Sequence, residues 1–530
     1  MLTKTLLLTL LAAISNAADC NRTATGREPL TEPYALIRQP GRPGGLYPGG
    51  ANIRPTAHEA AGLAAAAQVR PRNVLGAPAE DGRVVLLSLG MSNATQEFSV
   101  FRQLAMQDSD LHPALDIIDG AQGGWSADRI VADPAPYWNE VDRRIRTAGL
   151  TPQQVQAVWL KQADAEPDLA FPDDARKLGA ELEAIATETK NRFPNIQLLY
   201  FSSRTYGGYA VSNLNPEPFA YQSGFAVKWL IESEIFGVLE QHRFPWMAWG
   251  PYLWADGMTA REDGLTWTCG DVQTDGTHPS RSGQLKVAGM LLDFFKTDTT
   301  ARPWFLRPIR ADRPEIRTVL NSITLIPAVA PGGLATISGP SLALREESAP
   351  GLPLPTYLGG AVVRVGGRAV PLYSTSPTQI RFVVPGEVPV ADLTVEVGDQ
   401  VSETGRVPIQ TNAPGLLTVD GLPEGAAAAR HADGSVVDSL QPARIGEIIT
   451  LSWSGQGVRN PLILAPDALP LVRVGDIIAT VYGTRPAAGF PGMRLIRVEI
   501  PADAPSGETV PVVLQLAGFM SNRARIAVTR

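Results

Sequence analysis

Val84-Val85-Leu86-Leu87-Ser88-Leu89-Gly90-Met91-Ser92-Asn93 is the stretch on which the fold turns. Its four leading apolar residues, two of them β-branched valines, predict a buried strand that ends at Gly90. Glycine tolerates the tight backbone needed to leave a strand, so Ser92 falls just beyond the strand's C-terminal edge. In open α/β sheets that edge is where ligands bind. A serine there becomes a nucleophile only if a base and an orienting acid reach it.

Far downstream, Asp275-Gly276-Thr277-His278 offers such a pair. A carboxylate three residues before a histidine, in a glycine-containing turn followed by Pro279, can accept a bond from one ring nitrogen and leave the other to face a serine. Such a carboxylate fixes the tautomer and stabilises the imidazolium that forms when Ser92 loses its proton. The chain has only five histidines, and His278 alone has this setting. Acyl chemistry also needs donors aimed at the developing oxyanion. The backbone N–H groups of Ser92 and of Gly123 or Gly124 are the natural suppliers, with the side-chain amide of Gln162 as a third. Asn93 is placed beside the nucleophile, where it either holds the turn or touches substrate.

Between these segments the pattern alternates. Strands are expected at 84–89, 115–119, 154–160 and 196–201, and helices at 98–107, 137–148, 174–193, 224–239 and 283–296. Alternation of this kind argues for a parallel sheet with helices on both faces. It is preceded by a Pro/Gly-rich arm, residues 18–80, with a helix-like piece at 58–69. The arm either packs on the next domain or borders its cleft. After residue 298 the character changes: Pro303 and Pro308 punctuate a linker, 299–313, and short Val/Ile/Leu/Thr runs separated by turn residues follow. Two β-sandwich domains, 314–411 and 412–530, are expected.

At 530 residues the chain exceeds one core, and roughly two to four domains is the prior. A hydrophobic fraction of 44% and a charged fraction of 19% suit globular domains. A net charge of −7 without a long basic run argues against nucleic acid as a partner. Lys4 precedes a short apolar run and the small residues before Ala18, which reads as a signal peptide over residues 1–17. No later stretch looks transmembrane. Asp19 beside Cys20 fits a lipidation site poorly, so soluble export to an extracellular or periplasmic location is expected. The two cysteines, Cys20 and Cys269, survive cleavage and in an oxidising compartment predict a disulfide.

The order of these pieces resembles the SGNH (GDSL-like) hydrolases, in particular the sialate O-acetylesterase and carbohydrate-esterase branch. There the first block reads Gly-Gln-Ser-Asn, matched by Gly90-Met91-Ser92-Asn93; the Asp-x-x-His block is matched by Asp275-Gly276-Thr277-His278, and the glycine block by Gly123-Gly124. The third block departs: Gly-x-Asn-Asp is absent, and Trp-x-Gln-Gly-Glu is only echoed by Trp159-Leu160-Lys161-Gln162. The resemblance covers residues 81–298 and implies a three-layer, flavodoxin-like α/β domain. It also implies ester hydrolysis through an acyl-serine with no cofactor or metal, and commonly deacetylation of a sugar. The β-domains resemble Ig-like modules of the IPT/TIG kind, which space, dock or bind polysaccharide at cell surfaces.

Substrate contacts are expected from Asn93, Trp125, Arg204 and Tyr206. Arg204 is read as an anion site or a salt bridge, and Tyr206 and Tyr209 as exposed in a Gly-rich loop. Trp246, Trp249, Tyr252, Trp254 and Trp267 are read as sugar-stacking faces or core. Two rival readings stand beside the esterase. One is a non-catalytic exported binding protein with a degenerate esterase domain; the other is an acyltransferase using the same triad.

Overall fold

The computed structural model describes residues 17–31, 44–261, 263–386, 391–457 and 469–530. The signal-peptide reading therefore falls, but for its last residue, outside the described residues. Among the described residues no helix is long and apolar enough to cross a membrane.

The opening run forms β1 (Val84–Gly90), every residue of which is buried. Both faces of this strand are covered, which is why its sequence is a continuous apolar run rather than an alternation. It pairs in parallel with β2 (Leu115–Asp119) on one side and β3 (Val155–Lys161) on the other. β4 (Leu198–Phe201) and β5 (Trp246–Trp249) complete a sheet of order β2-β1-β3-β4-β5. The fifth strand is not among those expected: its four residues carry two tryptophans and read as an aromatic cluster.

Helix α1 (Thr56–Ala66) precedes the sheet, and α2 (Ser92–Gln107), α3 (Ala127–Ala132), α4 (Pro134–Thr147), α5 (Asp173–Arg192), α6 (Phe219–Ile235) and α7 (Arg281–Thr297) connect or follow its strands. α2 packs on α7, and α5 on α6. With the right-handed crossovers that parallel strands nearly always take, this strand order sets the two groups on opposite faces. An order of 2-1-3-4-5 has its switch point between β1 and β3, and in open α/β sheets ligands bind at the C-terminal edge there.

The segment read as a linker contributes to this domain. A four-residue helix, α8 (Arg302–Phe305), sends Trp304 and Phe305 into the α/β core. Beyond it lie two β-sandwich domains. In the first, Ala335, Ile337, Ile380 and Phe382 from one antiparallel sheet meet Ala361, Val363, Leu393 and Val395 from another in a single core. In the second, Leu451, Trp453, Ile496 and Val498 face Val472, Val512, Leu514 and Ile526. Glu396 of the first sandwich accepts from Arg302 and Arg364, each at 2.6 Å, and Asp293 of α7 accepts the Thr356 and Tyr357 N–H groups at 2.7 and 2.9 Å. The sandwich is thereby fastened to α7 and α8 of the α/β domain.

Candidate active site

β1 ends at a position only glycine fills well. Gly90 has φ +155°, and a Cβ there would lie 2.4 Å from the Lys161 carbonyl oxygen and 2.5 Å from Ala94 Cβ. The chain then turns directly into α2, of which Ser92 is the first residue. The first N–H groups of a helix have no intrahelical acceptor, and the macrodipole there favours negative charge. Tyr137 of α4 supports the turn by accepting the Gly90 N–H at 2.9 Å.

The Asp-x-x-His segment is a closed loop. Gln273 N–H donates to the His278 carbonyl at 2.7 Å, and Ser280 caps α7 by accepting from Gly283 N–H. Gly276 has φ +70°, and a Cβ there would lie 1.9 Å from the Tyr209 carbonyl oxygen, so this turn presses against the loop after β4. Asp275 Oδ1 accepts the Thr277 and His278 backbone N–H groups, both at 3.0 Å, and Oδ2 lies 2.5 Å from His278 Nδ1. Burial pushes the Asp275 carboxyl up, but the bonds from the His278 ring and the two backbone N–H groups outweigh it and hold it below the ordinary carboxylate value. His278 Nε2 lies 2.8 Å from Ser92 Oγ, across 186 positions of sequence. The tautomer with its proton on Nδ1 satisfies both contacts, leaving Nε2 to accept from the serine hydroxyl.

The other expected residues are distributed around this relay. Gly123 lies against Ser92, since a Cβ on it would sit 3.9 Å from Ser92 Cβ. Gly124 adopts φ +76° and its carbonyl accepts from Arg129 at 2.9 Å. Gln162 is 3% exposed; its Nε2 donates to the Trp125 carbonyl at 2.8 Å and its Oε1 accepts from Ala163 N–H. One of its two amide hydrogens is thus spent on holding the Gly123–Trp125 loop. Asn93 is buried and donates to the Thr277 carbonyl at 2.9 Å, tying α2 to the turn that carries His278. Trp125 is half-buried beside the glycine pair, with the Arg129 guanidinium 4.3 Å from its ring centre.

One reading is corrected and two open ones are narrowed. Tyr206 and Tyr209 are not exposed; they are 3% and 0% accessible, and their hydroxyls donate to the Arg22 and Trp267 carbonyls. The N-terminal arm covers the Gly-rich loop, which sequence patterning could not reveal. Trp246, Trp249, Tyr252, Trp254 and Trp267 are all buried and fill core. Arg204 makes no salt bridge among the described residues. It is 2% exposed, with Nε and Nη1 lacking a hydrogen-bond partner. Burial pushes its guanidinium down, while Glu97, Glu217 and Asp275 pull it up.

Cys20 and Cys269 are joined by a disulfide with Cα atoms 5.3 Å apart. It pins the arm to the segment entering the Asp275 turn, and Asp19 N–H adds a bond to the Tyr209 carbonyl at 3.0 Å. Among the described residues no group of three His, Cys, Asp or Glu side chains is arranged to hold a metal. Sequence reasoning missed Glu97 and Lys161, a buried ion pair between α2 and the end of β3; charged residues on a helix and at a strand end ordinarily read as solvent-facing.

No protein-family model matches the chain, and no curated protein matches it. Among solved structures, it is similar to an auxiliary nutrient binding protein from Bacteroides thetaiotaomicron at 11% identity and a TM-score of 0.14, over 24% of this chain and 26% of that one. A carbohydrate acetylesterase from Xanthomonas citri aligns at 11% identity and a TM-score of 0.24, over 61% of this chain and 80% of that one. A Bacteroides fragilis protein proposed to be an acylhydrolase aligns at 9% identity and a TM-score of 0.27, over 47% of this chain and 98% of that one. Likenesses at these scores carry no weight for the activity of this chain, which rests on the geometry of its own residues.

Proposed function

We propose that this chain is an exported serine esterase of the SGNH type that hydrolyses O-acyl esters of a carbohydrate, with O-acetyl as the simplest acyl group. The observation that carries the reading is the continuous relay Asp275–His278–Ser92, with contacts of 2.5 and 2.8 Å at the sheet's switch point. Ser92 Oγ attacks the ester carbonyl as its proton passes to His278 Nε2, and Asp275 stabilises the imidazolium. The oxyanion is met by backbone N–H groups of Ser92 and Gly124, with the remaining Gln162 hydrogen as a third donor. Collapse breaks the bond to the sugar oxygen, which takes the proton from Nε2 and leaves as the free hydroxyl. Water then attacks the acyl-serine with His278 again as base, releasing the carboxylic acid and restoring the serine. No cofactor enters this sequence.

Trp125, half-buried beside the glycine pair, is assigned to the sugar face of the site. Export is supported by the disulfide, which persists in oxidising compartments. The β-sandwiches are assigned to spacing or polysaccharide contact. The decisive experiment measures p-nitrophenyl acetate hydrolysis and fluorophosphonate labelling of the full chain and of Ser92→Ala. Loss of both, with turnover down by at least about 10³-fold, is expected. Equal turnover in the two proteins refutes the reading. A panel of acetylated xylan, acetylated sialic acid and short acyl esters then identifies the substrate.

A further inference from the structure

Beneath the nucleophile lies an ion pair that no step of the proposed hydrolysis uses. Lys161, the last residue of β3, brings its ammonium to both oxygens of Glu97 at 2.6 and 2.5 Å. The two side chains are 1% and 0% exposed. Desolvating both charges is costly, and apolar residues of similar volume are often as stable or more so. Stability alone therefore does not account for the pair. Nor does the helix need it for adhesion, because Phe98 of α2 already stacks on Trp159 of β3 with ring centres 5.5 Å apart.

The pair's neighbours suggest what it does. Glu97 lies four residues after Asn93 on α2, one turn below the residues that begin the helix. Lys161 pairs in register with Gly90, the residue that releases the chain toward Ser92. The next residue, Gln162, holds the Trp125 carbonyl and with it the Gly123–Gly124 loop. The ion pair thus connects the element that carries the nucleophile to the element that holds the oxyanion donors. Arg204 adds a second buried cation that interacts with Glu97, and the burial of Lys161 lowers its ammonium to about 8.

We infer that Glu97 and Lys161 are positioning residues: a directional charge contact that sets the depth of the first turn of α2, and so of Ser92 Oγ, against the Gly123–Trp125 loop. A carboxylate–ammonium contact in a low-dielectric interior resists sliding of helix against strand, whereas an apolar contact is non-directional. Misplacing a nucleophile by about 1 Å can cost on the order of 100-fold in rate.

The inference rests on the esterase reading, and its test is arranged to separate the two. The full disulfide-bonded chain, Ser92→Ala, and the double variant Glu97→Leu/Lys161→Met are compared for thermal midpoint, for kcat and KM with p-nitrophenyl acetate, and for fluorophosphonate labelling rate. The double variant keeps side chains of similar volume and removes one charge of each sign, so the net charge is unchanged. Its midpoint is expected to hold or rise, KM to stay near wild type, and kcat and labelling rate to fall by on the order of 100-fold. A folded double variant with wild-type kcat overturns the positioning role and leaves the esterase reading standing. Wild-type turnover that does not depend on Ser92 overturns both. Should the double variant fail to fold, Glu97→Asp decides: it keeps both charges, shortens the tether by one methylene, and is expected to lower kcat by about tenfold at unchanged KM. A wild-type kcat in that variant overturns the inference.

Discussion

Replacing Asp275 with asparagine tests the relay where its geometry is most demanding. Oδ1 accepts two backbone N–H groups at 3.0 Å, from Thr277 and His278, so the introduced amide can satisfy the turn only with its oxygen on that side. Its NH₂ group then faces His278 Nδ1, which the wild-type carboxylate meets at 2.5 Å. A donor facing Nδ1 forces the ring proton onto Nε2, and Nε2 can no longer accept from the Ser92 hydroxyl. The same change of tautomer in a serine triad lowers kcat by about 10⁴-fold, roughly 5 kcal/mol of transition-state stabilisation. Because both backbone bonds survive, stability is expected to change by only about 1 kcal/mol. Asp275→Asn is therefore expected to lose nearly all turnover of p-nitrophenyl acetate at neutral pH while melting close to wild type. Activity within tenfold of wild type, in a variant of unchanged thermal midpoint, would refute the account of how His278 is held.

Two further predictions concern stability. Burial raises the Glu234 carboxyl to about 8 against the opposing Met247 N–H, so between roughly pH 4.5 and 8 the folded state keeps a proton that the unfolded state releases, and stability falls as pH rises. Glu234→Gln is expected to raise stability by about 4 kcal/mol at pH 8 and not at all at pH 4; an equal gain at both pH values in chemical denaturation contradicts the shift. Removing the Cys20–Cys269 bridge by paired serine substitutions frees a span of 249 residues and is expected to cost about 2–4 kcal/mol. An unchanged denaturation midpoint contradicts a stabilising role for the tether.

Local patterns made the α/β layer and its β-rich continuation legible. The run from Val84 to Gly90 reads as a strand because both faces of a central parallel strand are buried, and that demand is written on every residue. Asp275 and His278 read as a pair because three positions in a turn bring their side chains together without help from the rest of the chain. β5 was hidden because four residues with two tryptophans have no readable period. The α8 tryptophan and phenylalanine were hidden because prolines around them signal a linker.

What the chain's order of residues determined by itself was therefore local: which runs are strands, which are helices, and which turn joins an acid to a histidine. Tertiary structure alone decided the rest. Sheet order made Gly90 and Lys161 neighbours, buried Glu97 against Lys161, laid the N-terminal arm over Tyr206 and Tyr209, and brought the His278 ring to Ser92. Periodicity records how a segment is buried, but the identity of its partners is set by which segments the topology makes adjacent, and that information is spread over the whole chain.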